Sequence, residues 1–476
     1  MGVVAALCVG LGVLVAVVKL KSLLTWQYTS DIFTYDQLLR ETLRGHFGLE
    51  YTYGNQFGEH AYLVLLLLLP LKLILRGDFV CFLAVAAPLA YAAGGIILYR
   101  ELRTMAAEWK AFVGVVLYLV NFSVLKGLLE PYCGFHPDVA GAFLGVIFIA
   151  ILAREESRSA TSGPPWGLFA AVVLFVSVKE EYALTACAML GLLSLRPRSR
   201  HVRPLLAVAL SLTAFDVVLL VTQRTPFNRT DANLVRSWLA HPLSPTLSSE
   251  FWLPFLILGG ILLALRIIDG ELDRYAAALL LMFVLRVPES VLTDDYSSFS
   301  WHNLPQSVFL MAAVIFQFVR VSRRGLSTVL VVALAALLGF DCFAEKVPIL
   351  AALAWVGPGP AFEAGFRVEE ADLHEMQALI NPDEITAIPL MSAVDWARAG
   401  YRFSFFPRGI TQSPRGIARY AVLAGSQKNL SGLLPDCFHQ RAANASFILY
   451  EREGACPGID AERARFVRIF GPHAIE

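Results

Sequence analysis

Residues 79–99 read FVCFLAVAAPLAYAAGGIILY, a stretch of apolar sequence that contains no charged side chain. A helix needs about 20 mainly apolar residues to cross a bilayer, so this stretch predicts a membrane-spanning helix. Comparable runs recur along most of the chain. They cover residues 2–24, 79–99, 110–126, 138–153, 166–178, 182–195, 204–222, 251–268, 275–287, 304–320 and 326–342. The chain is therefore predicted to be an α-helical polytopic membrane protein.

The two least regular candidates lie near the start of the chain. The run 61–75, AYLVLLLLLPLKLIL, is only 15 residues long, contains Pro70, and is separated from residue 79 by three residues. It either crosses the membrane or lies at its surface, which gives about 11–12 membrane segments. Residues 1–18 lack a positively charged start and a clear cleavage site, so we expect a retained first helix rather than a signal peptide.

The composition supports the same class of protein. Of 476 residues, 57% are hydrophobic and 16% are charged, against about 45–50% apolar and about 25% charged residues in soluble domains. Lysine plus arginine and aspartate plus glutamate number 39 each. A nucleic-acid-binding protein should carry a basic excess, and a disordered chain cannot be so apolar. Both classes are excluded in favour of an integral membrane protein.

The charge density divides the chain into two parts. Residues 1–342 hold 50 of the 78 charged residues, and residues 343–476 hold the other 28. Beyond its first dozen or so residues, the second part contains no apolar run long enough to cross a bilayer. Apolar and polar residues alternate in SFILYERE, residues 446–453, and in ARYAVLAG, residues 418–425, which predicts β-strands. We therefore expect a membrane domain followed by a small C-terminal α/β domain.

The cysteines leave one structural question open. Cys437 and Cys456 share the C-terminal domain and are 19 positions apart. A disulfide forms between them if the domain faces an oxidising compartment, whereas two buried thiols are the alternative. The spacing of the seven cysteines indicates no metal site.

The loop charges indicate which side of the membrane each loop faces. Alternate loops hold 14 lysines and arginines, and the intervening loops hold six. Because basic loops stay in the cytoplasm, the first set is predicted to be cytoplasmic and the second set outside, together with the C-terminal domain. The loop 25–59 is cytoplasmic if residues 61–75 cross the membrane, and outside if they do not. We expect the protein in a bacterial inner membrane.

The first long loop presents two carboxylates. Residues 30–45, SDIFTYDQLLRETLRG, have the spacing of an amphipathic helix. Asp31 and Asp36 are five positions apart, which separates them by about 140° around a helix. Either carboxylate can act just outside the membrane on a lipid-phase substrate. The structural alternative is that Asp31 caps the helix, a role for which Ser30 competes.

Three further polar islands interrupt apolar sequence on the same side. Ionisable groups at the edge of the membrane are costly, so they tend to face a cavity or a charged partner. The structural alternative is an ordinary helix start at residues 134–138, an interfacial ion pair at residues 179–181 and a solvated pair of acids at residues 293–303. The candidate residues are His136, Asp138, Lys179, Glu180, Glu181, Asp294, Asp295 and His302. None of these spacings matches a zinc-protease, nucleotide-binding or EF-hand motif. Binding of a divalent cation through carboxylate oxygens is still an open alternative.

These islands resemble motifs of a family of bacterial and archaeal membrane proteins, DUF2079, which is similar to the wider GT-C glycosyltransferase superfamily. The stretch 30–45 resembles its D-x-x-x-F-D-Q segment followed by R-G or H-G. Later motifs of the family are resembled by four further segments, EHAYLVLLLLLPLKLIL, GFHPD, KEEYAL and WHNLPQSVFL. INPDEITAIPLMSAVDWARAGYRFSFFP, residues 380–407, resembles a segment of the family's C-terminal part. The resemblance covers nearly the whole chain in order.

The resemblance implies a GT-C-like fold and a membrane glycosyltransferase that moves a sugar from a polyprenyl-phosphate donor to an extracytoplasmic acceptor, which is a glycan, a lipid or a protein. It makes Asp31 the general base and places loop 25–59 outside, while Asp36 supports Asp31. Expected substrate contacts come from His60, His136, Asp138, Lys179, Glu180, Glu181, Asp294, Asp295 and His302. Membrane lipid is an expected partner and nucleic acid is not.

A transporter or flippase for a lipid-linked or small solute is the alternative function. In that case Lys179 and Glu180, which lie between two short apolar runs, would line a translocation pathway. Residues 79–342 show no signal of an inverted repeat, which many transporters contain.

Overall fold

The structure is a computed structural model and is mainly helical. It describes residues 2–26, 30–51, 54–129, 134–157, 166–195, 200–225, 249–292, 304–321, 328, 331, 360–389, 392–405 and 418–470. A bundle of apolar helices is followed by a small domain built on a mixed sheet. The predicted fold class is confirmed.

The bundle helices follow the predicted apolar runs. They are α1 (Gly2–Leu24), α5 (Phe79–Met105), α6 (Glu108–Leu119), α7 (Phe122–Leu128), α8 (Pro137–Ser157), α9 (Trp166–Val176), α10 (Glu180–Ser194), α11 (Val202–Gln223), α12 (Ser249–Asp269), α13 (Arg274–Leu292) and α14 (Leu304–Arg320). The run 110–126 is divided because Asn121 caps a new helix, its side chain accepting from the backbone N–H of Val124. Most of the run 326–342 lies outside the described residues.

Apolar side chains cover the outside of this bundle. On α11, Leu210, Val217 and Val221 are 53%, 54% and 70% exposed, while Leu205 and Leu219 face the neighbouring helices. Contiguous exposed apolar surface is unfavourable in water and is typical of a lipid-facing helix. The chain is an integral membrane protein.

The packing of α1 on α5 fixes the course of the first loop. Cys8 lies against Gly95 and Gly12 against Ala92, so the two helices are antiparallel. Leu24 and Phe79 therefore lie at one end of the bundle, which we term the site end. The chain between them returns to the end from which it started.

Two short helices replace the crossing that residues 61–75 could have made. Helix α3 (Leu63–Leu67) and helix α4 (Leu69–Leu75) are interrupted at Leu68, and together they span only about 20 Å. The hydrocarbon core is about 30 Å thick. Both helices therefore stay at the site end. Loop 25–59 accordingly lies at the same end of the bundle as the C-terminal domain.

Helix α2 (Ser30–Leu43) joins the bundle to the C-terminal domain. Ile32, Leu38 and Leu39 are fully buried in an apolar cluster that includes Leu373 and Trp396 of the domain. The side chain of Gln37 donates to the carbonyl of Phe403 at 2.8 Å and accepts from the backbone N–H of Tyr51 at 3.1 Å. Helix α2 is thus packed on both sides, which fixes its rotation at the site end.

The C-terminal domain contains a five-stranded sheet in the order β4-β3-β5-β7-β6. Its strands are β3 (Thr386–Ile388), β4 (Phe403–Phe405), β5 (Tyr420–Ala424), β6 (Phe438–Ala443) and β7 (Phe447–Arg452), and its helices are α15 (Pro360–Gln377), α16 (Ala393–Ala399) and α17 (Pro457–Phe470). Strand β3 is parallel to β4 and β5, while β7 is antiparallel to β5 and β6. The two predicted strand segments are β5 and β7, and a disulfide joins Cys437 and Cys456.

A two-residue hairpin completes the first loop. Strand β1 (Leu49–Glu50) pairs antiparallel with β2 (Gly54–Asn55), and both strands are buried. Asn55 ties this hairpin to the bundle because its side-chain amide donates to the side chain of Gln223 at the end of α11, at 3.0 Å. The first loop is thereby anchored to α11 as well as to the C-terminal domain.

The close contact between α1 and α5 gives a stability prediction. A Cβ atom at Gly12 would lie 2.7 Å from the Cβ of Ala92, whereas one at Gly10 meets nothing within 4 Å. Gly12→Ala should lower the free energy of unfolding by about 1–3 kcal/mol through overpacking. Gly10→Ala, the matched control, should leave it unchanged or raise it slightly, because alanine favours helix. Thermal unfolding in detergent measures both, and equal stability of the two variants would contradict the packing.

Candidate active site

Two of the polar islands meet at a buried carboxylate at the site end. Asp138, in the first turn of α8, is 0% exposed. Its carboxylate lies 3.0 Å from Nδ1 of His136, 3.5 Å from Nζ of Lys179 and 3.1 Å from Nη2 of Arg286. A buried charge is costly unless it is paired, and Asp138 has two cationic partners.

A second carboxylate closes this group towards solvent. Oε2 of Glu181 lies 2.9 Å from Nζ of Lys179 and 3.1 Å from Nη1 of Arg286. The side chains of Lys179 and Arg286 are 4% and 1% exposed, whereas that of Glu181 is 31% exposed. We term His136, Asp138, Lys179, Glu181 and Arg286 the ionic cluster. In it, two buried cations converge on one oxygen of a partly exposed carboxylate.

Tyr182 supports the ionic cluster from the bundle side. The guanidinium carbon of Arg286 stands 4.6 Å from the centre of the Tyr182 ring, within the range of a cation–π contact. The Tyr182 hydroxyl donates to the backbone carbonyl of Asp138 at 2.7 Å. Helices α8, α10 and α13 are therefore held together at the site end by one charged group and one ring.

His60 and Glu180 form a neighbouring pair. Nδ1 of His60 lies 2.9 Å from Oε1 of Glu180, and the backbone N–H of Ala61 donates to Oε2 at 2.9 Å. Burial alone, and the nearby charge of Lys179, would lower the pKa of the His60 imidazole. The hydrogen bond to Glu180 and the carboxylate charges outweigh them, so the pKa is raised above its usual value of 6.5.

An aromatic wall connects α2 to the ionic cluster. The ring centre of Tyr35 lies 5.4 Å from that of Tyr62, 6.0 Å from that of Phe135 and 6.0 Å from that of His136. The Tyr62 hydroxyl is 3.4 Å from Nε2 of His136. Burial raises the pKa of both tyrosines well above 10, so their hydroxyls stay protonated and polar.

Asp31 lies at the rim of this wall. It precedes Tyr35 by four residues, so both side chains project from the same face of α2. Asp31 is partly exposed, and its charge helps to raise the pKa of Tyr35. A solvent-accessible carboxylate thus stands next to the buried residues that lead to the ionic cluster.

Asp36 has a different environment from Asp31, as their separation around the helix predicts. Its carboxylate forms an ion pair with Nζ of Lys72 on α4 at 2.6 Å, and both side chains are buried. Burial raises the pKa of Asp36, against the opposing charges of Lys72 and Arg40. Its ion-pair partner is Lys72 and not a residue of the ionic cluster. The position expected to support Asp31 instead holds α2 on α4.

The sequence motifs account for most of the assembly but not for all of it. The structure brings together five of the expected residues, His60, His136, Lys179, Glu180 and Glu181, around Asp138. Asp294, Asp295 and His302 lie outside the described residues. No sequence pattern singled out Arg286, Tyr62 or Tyr182. The position of Arg286 near the end of an apolar run could have indicated a site residue, because an ionisable group at the membrane edge is costly and usually has a partner.

The charges in the ionic cluster favour an anion over a metal ion. Lys179 and Arg286 already contact both of its carboxylates, and they would repel a divalent cation placed between those carboxylates. Arginine's planar fork of donors matches the oxygens of a phosphate. Within the described residues, one group of His and carboxylate side chains is close enough to share an ion, and it lies in the C-terminal domain.

Comparison with solved structures identifies the fold. The chain is similar to ArnT from Cupriavidus metallidurans bound to undecaprenyl phosphate, with a TM-score of 0.51 and 14% identity over 94% of this chain and 98% of that one. The apo structure of the same protein gives 0.50 and 13% over 93% and 97%. An Archaeoglobus fulgidus oligosaccharyltransferase in the apo form gives 0.45 and 12% over 88% and 70%.

These similarities concern the fold. No family model matches the chain, so the resemblance to DUF2079 stays a prediction. No curated protein matches it either. The chain shares the fold of ArnT over nearly the whole length of both chains.

The ion pair between Asp36 and Lys72 gives a second stability prediction. Lys72→Met leaves a buried carboxylate without its cation and should cost about 3–5 kcal/mol of unfolding free energy. The double variant Asp36→Leu/Lys72→Met removes both charges and should recover most of that loss. Lys428→Met, at an exposed lysine, is the control for the loss of one positive charge. Thermal unfolding measures all three, and an undestabilised Lys72→Met would show that the pair does not hold α2.

The raised pKa of His60 predicts a pH-dependent contribution to stability. Because folding raises this pKa, the pair with Glu180 contributes fully below about pH 6.5, the usual histidine value, and is lost as the pH rises through the higher folded value. His60→Gln should therefore destabilise the protein by about 2 kcal/mol at low pH and by less at high pH. Melting temperatures of wild type and variant across pH measure the difference. A difference in melting temperature that does not change with pH contradicts the pair.

Proposed function

We propose that the chain is a membrane glycosyltransferase that moves a sugar from a polyprenyl-phosphate donor to an acceptor outside the cytoplasm. The observation that carries this proposal is the convergence of Lys179 and Arg286 on one oxygen of Glu181, in a chain with the GT-C fold. Asp31 lies at the same end of the bundle, and its charge and that of Asp138 both raise the pKa of Tyr35.

Lys179 and Arg286 suit the phosphate of the donor. Two cations that are nearly fully buried attract an anion more strongly than cations in water do, because the low dielectric of the interior screens them less. A phosphate oxygen that replaces Oε2 of Glu181 would accept from Lys179 and Arg286 together. Glu181 is partly exposed and can turn into solvent when the phosphate enters.

Asp31 is the proposed general base. The acceptor hydroxyl loses its proton to the Asp31 carboxylate as its oxygen forms a bond to the anomeric carbon of the sugar. The bond between that carbon and the phosphate oxygen breaks, and its electron pair leaves with the lipid phosphate. Lys179 and Arg286 stabilise the charge that develops there. We expect the partly exposed side chains of His60 and Glu180 to contact the sugar.

The lipid part of the donor is supported by the fold and by the site. ArnT, to which this chain is similar, has been solved with undecaprenyl phosphate, a lipid phosphate. In this chain the ionic cluster lies at the first turns of α8 and α10, where the apolar helices begin. A phosphate held there lets a polyprenyl tail extend along lipid-facing surface while the sugar points away from the membrane.

The charges at the opposite end of the bundle support an extracytoplasmic site. Glu101 is buried there between Arg100 at 2.6 Å and Arg154 at 3.1 Å, and Arg320 pairs with Asp273 at 3.2 Å. These basic residues belong to the loops that the positive-inside rule assigns to the cytoplasm. The site and the C-terminal domain therefore face the other compartment, outside a bacterial inner membrane.

Transfer assays on purified protein test the proposal. With radiolabelled sugars on undecaprenyl phosphate and a membrane extract as the source of acceptor, wild type should release unlabelled lipid phosphate. Asp31→Asn should reduce that rate by at least about 100-fold, which is the scale of general base catalysis, while its binding of undecaprenyl phosphate is retained. The Asp36→Leu/Lys72→Met variant, which removes a carboxylate of the same helix, should keep its activity.

Two outcomes would contradict the proposal. Full transfer by Asp31→Asn would exclude its role as the base. Protein-dependent uptake of a lipid-linked sugar into proteoliposomes, without transfer by wild type, would instead indicate a transporter or flippase.

A further inference from the structure

A second polar site lies outside the ionic cluster, at the contact between the C-terminal domain and the membrane domain. A cavity of about 520 Å³ is bounded on one side by residues 75–78 and on the other by α15 and α16. Arg398 of α16 and Asp78, which precedes α5, form an ion pair across it at 3.2 Å. The cavity is therefore part of the surface on which the C-terminal domain sits.

Three side chains converge in this cavity. Glu370 and His374 are four residues apart on α15, so they project from the same face of that helix. Asp395 approaches them from the first turn of α16. One carboxylate oxygen from each acid and one imidazole nitrogen all lie within 4.8 Å of one another. The three residues come from two helices, so they meet only in the folded domain.

We propose that Glu370, His374 and Asp395 form a binding site for a divalent transition-metal ion, with Zn²⁺ as the preferred occupant. One imidazole and two carboxylates are a ligand set that Zn²⁺ accepts, at about 2.0–2.2 Å from the ion. Around a tetrahedral ion such ligand atoms stand about 3.3 Å apart. The three ligand atoms here lie within 4.8 Å of one another, so side-chain rotations would bring them to that spacing around an ion. Water from the adjacent cavity would fill the remaining coordination position.

A hydrogen bond from outside the ligand set orients Asp395. The indole Nε1–H of Trp26 donates to Oδ2 of Asp395 at 2.5 Å. Carboxylates that bind metals are commonly held by such a donor, which fixes the oxygen that faces the ion. The Trp26 ring itself packs edge-on against Phe366 of α15, with 5.0 Å between ring centres. The residue that orients the ligand is thus fixed to the helix that carries the other two.

The local charges also favour a cation. The carboxylates of Glu370 and Asp395 lie within 4.8 Å of each other in the folded domain. Two carboxylates that face each other repel, and an ion of charge +2 placed between them removes that repulsion. Arg76 and Arg398 line the same cavity, and Arg398 is already paired with Asp78.

The position of the site suggests a structural role. An ion bound by α15 and α16 joins two helices of the C-terminal domain. Trp26, which lies two positions after the end of α1, is hydrogen-bonded to the ligand Asp395 and so connects the site to the bundle. Metal binding would therefore stabilise the domain and its contact with the bundle. This proposal is independent of the catalytic role of Asp31, because none of the three ligands belongs to the ionic cluster.

Calorimetric titration with ZnCl₂ tests the site in the full-length protein. Purified, chelator-treated protein in detergent should bind one Zn²⁺ per chain, and Glu370→Gln and His374→Ala should each weaken binding at least about tenfold. Glu369→Gln and His439→Ala, which remove exposed side chains outside the cluster, should bind as wild type does. Zn²⁺ should also raise the melting temperature of wild type but not of His374→Ala.

Each alternative result overturns the site. Absence of saturable Zn²⁺ binding by wild type excludes it, because Mn²⁺ and Fe²⁺ bind such ligands more weakly than Zn²⁺ does. Equal Zn²⁺ affinity of wild type and His374→Ala would show that the ion binds elsewhere. Neither result depends on sugar transfer, so failure of this site and failure of the proposed function are distinguishable.

Discussion

The burial of Asp138 against Lys179 and Arg286 is the constraint on which the site end of this protein depends. A carboxylate that is 0% exposed at the edge of a membrane is tolerated only when cations and hydrogen bonds surround it. Satisfying Asp138 requires the first turns of α8 and α10 and the last turns of α13 to meet at one place. The same meeting leaves the cations directed at Glu181, the one partly exposed member of the group, so the arrangement that stabilises Asp138 also forms the proposed phosphate site.

Helix α2 brings the second half of the proposed chemistry to this site. Its buried face packs between the bundle and the C-terminal domain, and Gln37 fixes it to Phe403. These contacts fix the rotation of α2 about its own axis. In that orientation Asp36 pairs with Lys72, and Asp31, four residues before Tyr35, lies beside the aromatic wall. The C-terminal domain therefore positions the helix that carries the proposed general base, and a metal ion at Glu370, His374 and Asp395 would strengthen that support.

The sequence predicted what depends on local pattern and missed what depends on packing. Apolar runs predicted the bundle helices, and alternation predicted β5 and β7. The same patterns left the course of residues 61–75 open, because only the antiparallel packing of α1 on α5 decides it. At the site, the polar islands around His136 and Lys179 were evident as interruptions of apolar sequence. Arg286 was counted only as a loop charge, and a tertiary contact gives it a partner. Asp31 and Asp36 looked alike in sequence, and their partners distinguish them.

The most direct measurement is a structure of this protein determined with undecaprenyl phosphate. We expect phosphate oxygens within about 3 Å of Nζ of Lys179 and of the guanidinium of Arg286, with Glu181 turned away from both. We also expect Asp31 on the solvent side of that phosphate, where the sugar and the acceptor would meet. A lipid phosphate bound elsewhere, with Lys179 and Arg286 still paired to Glu181, would contradict the proposed phosphate site.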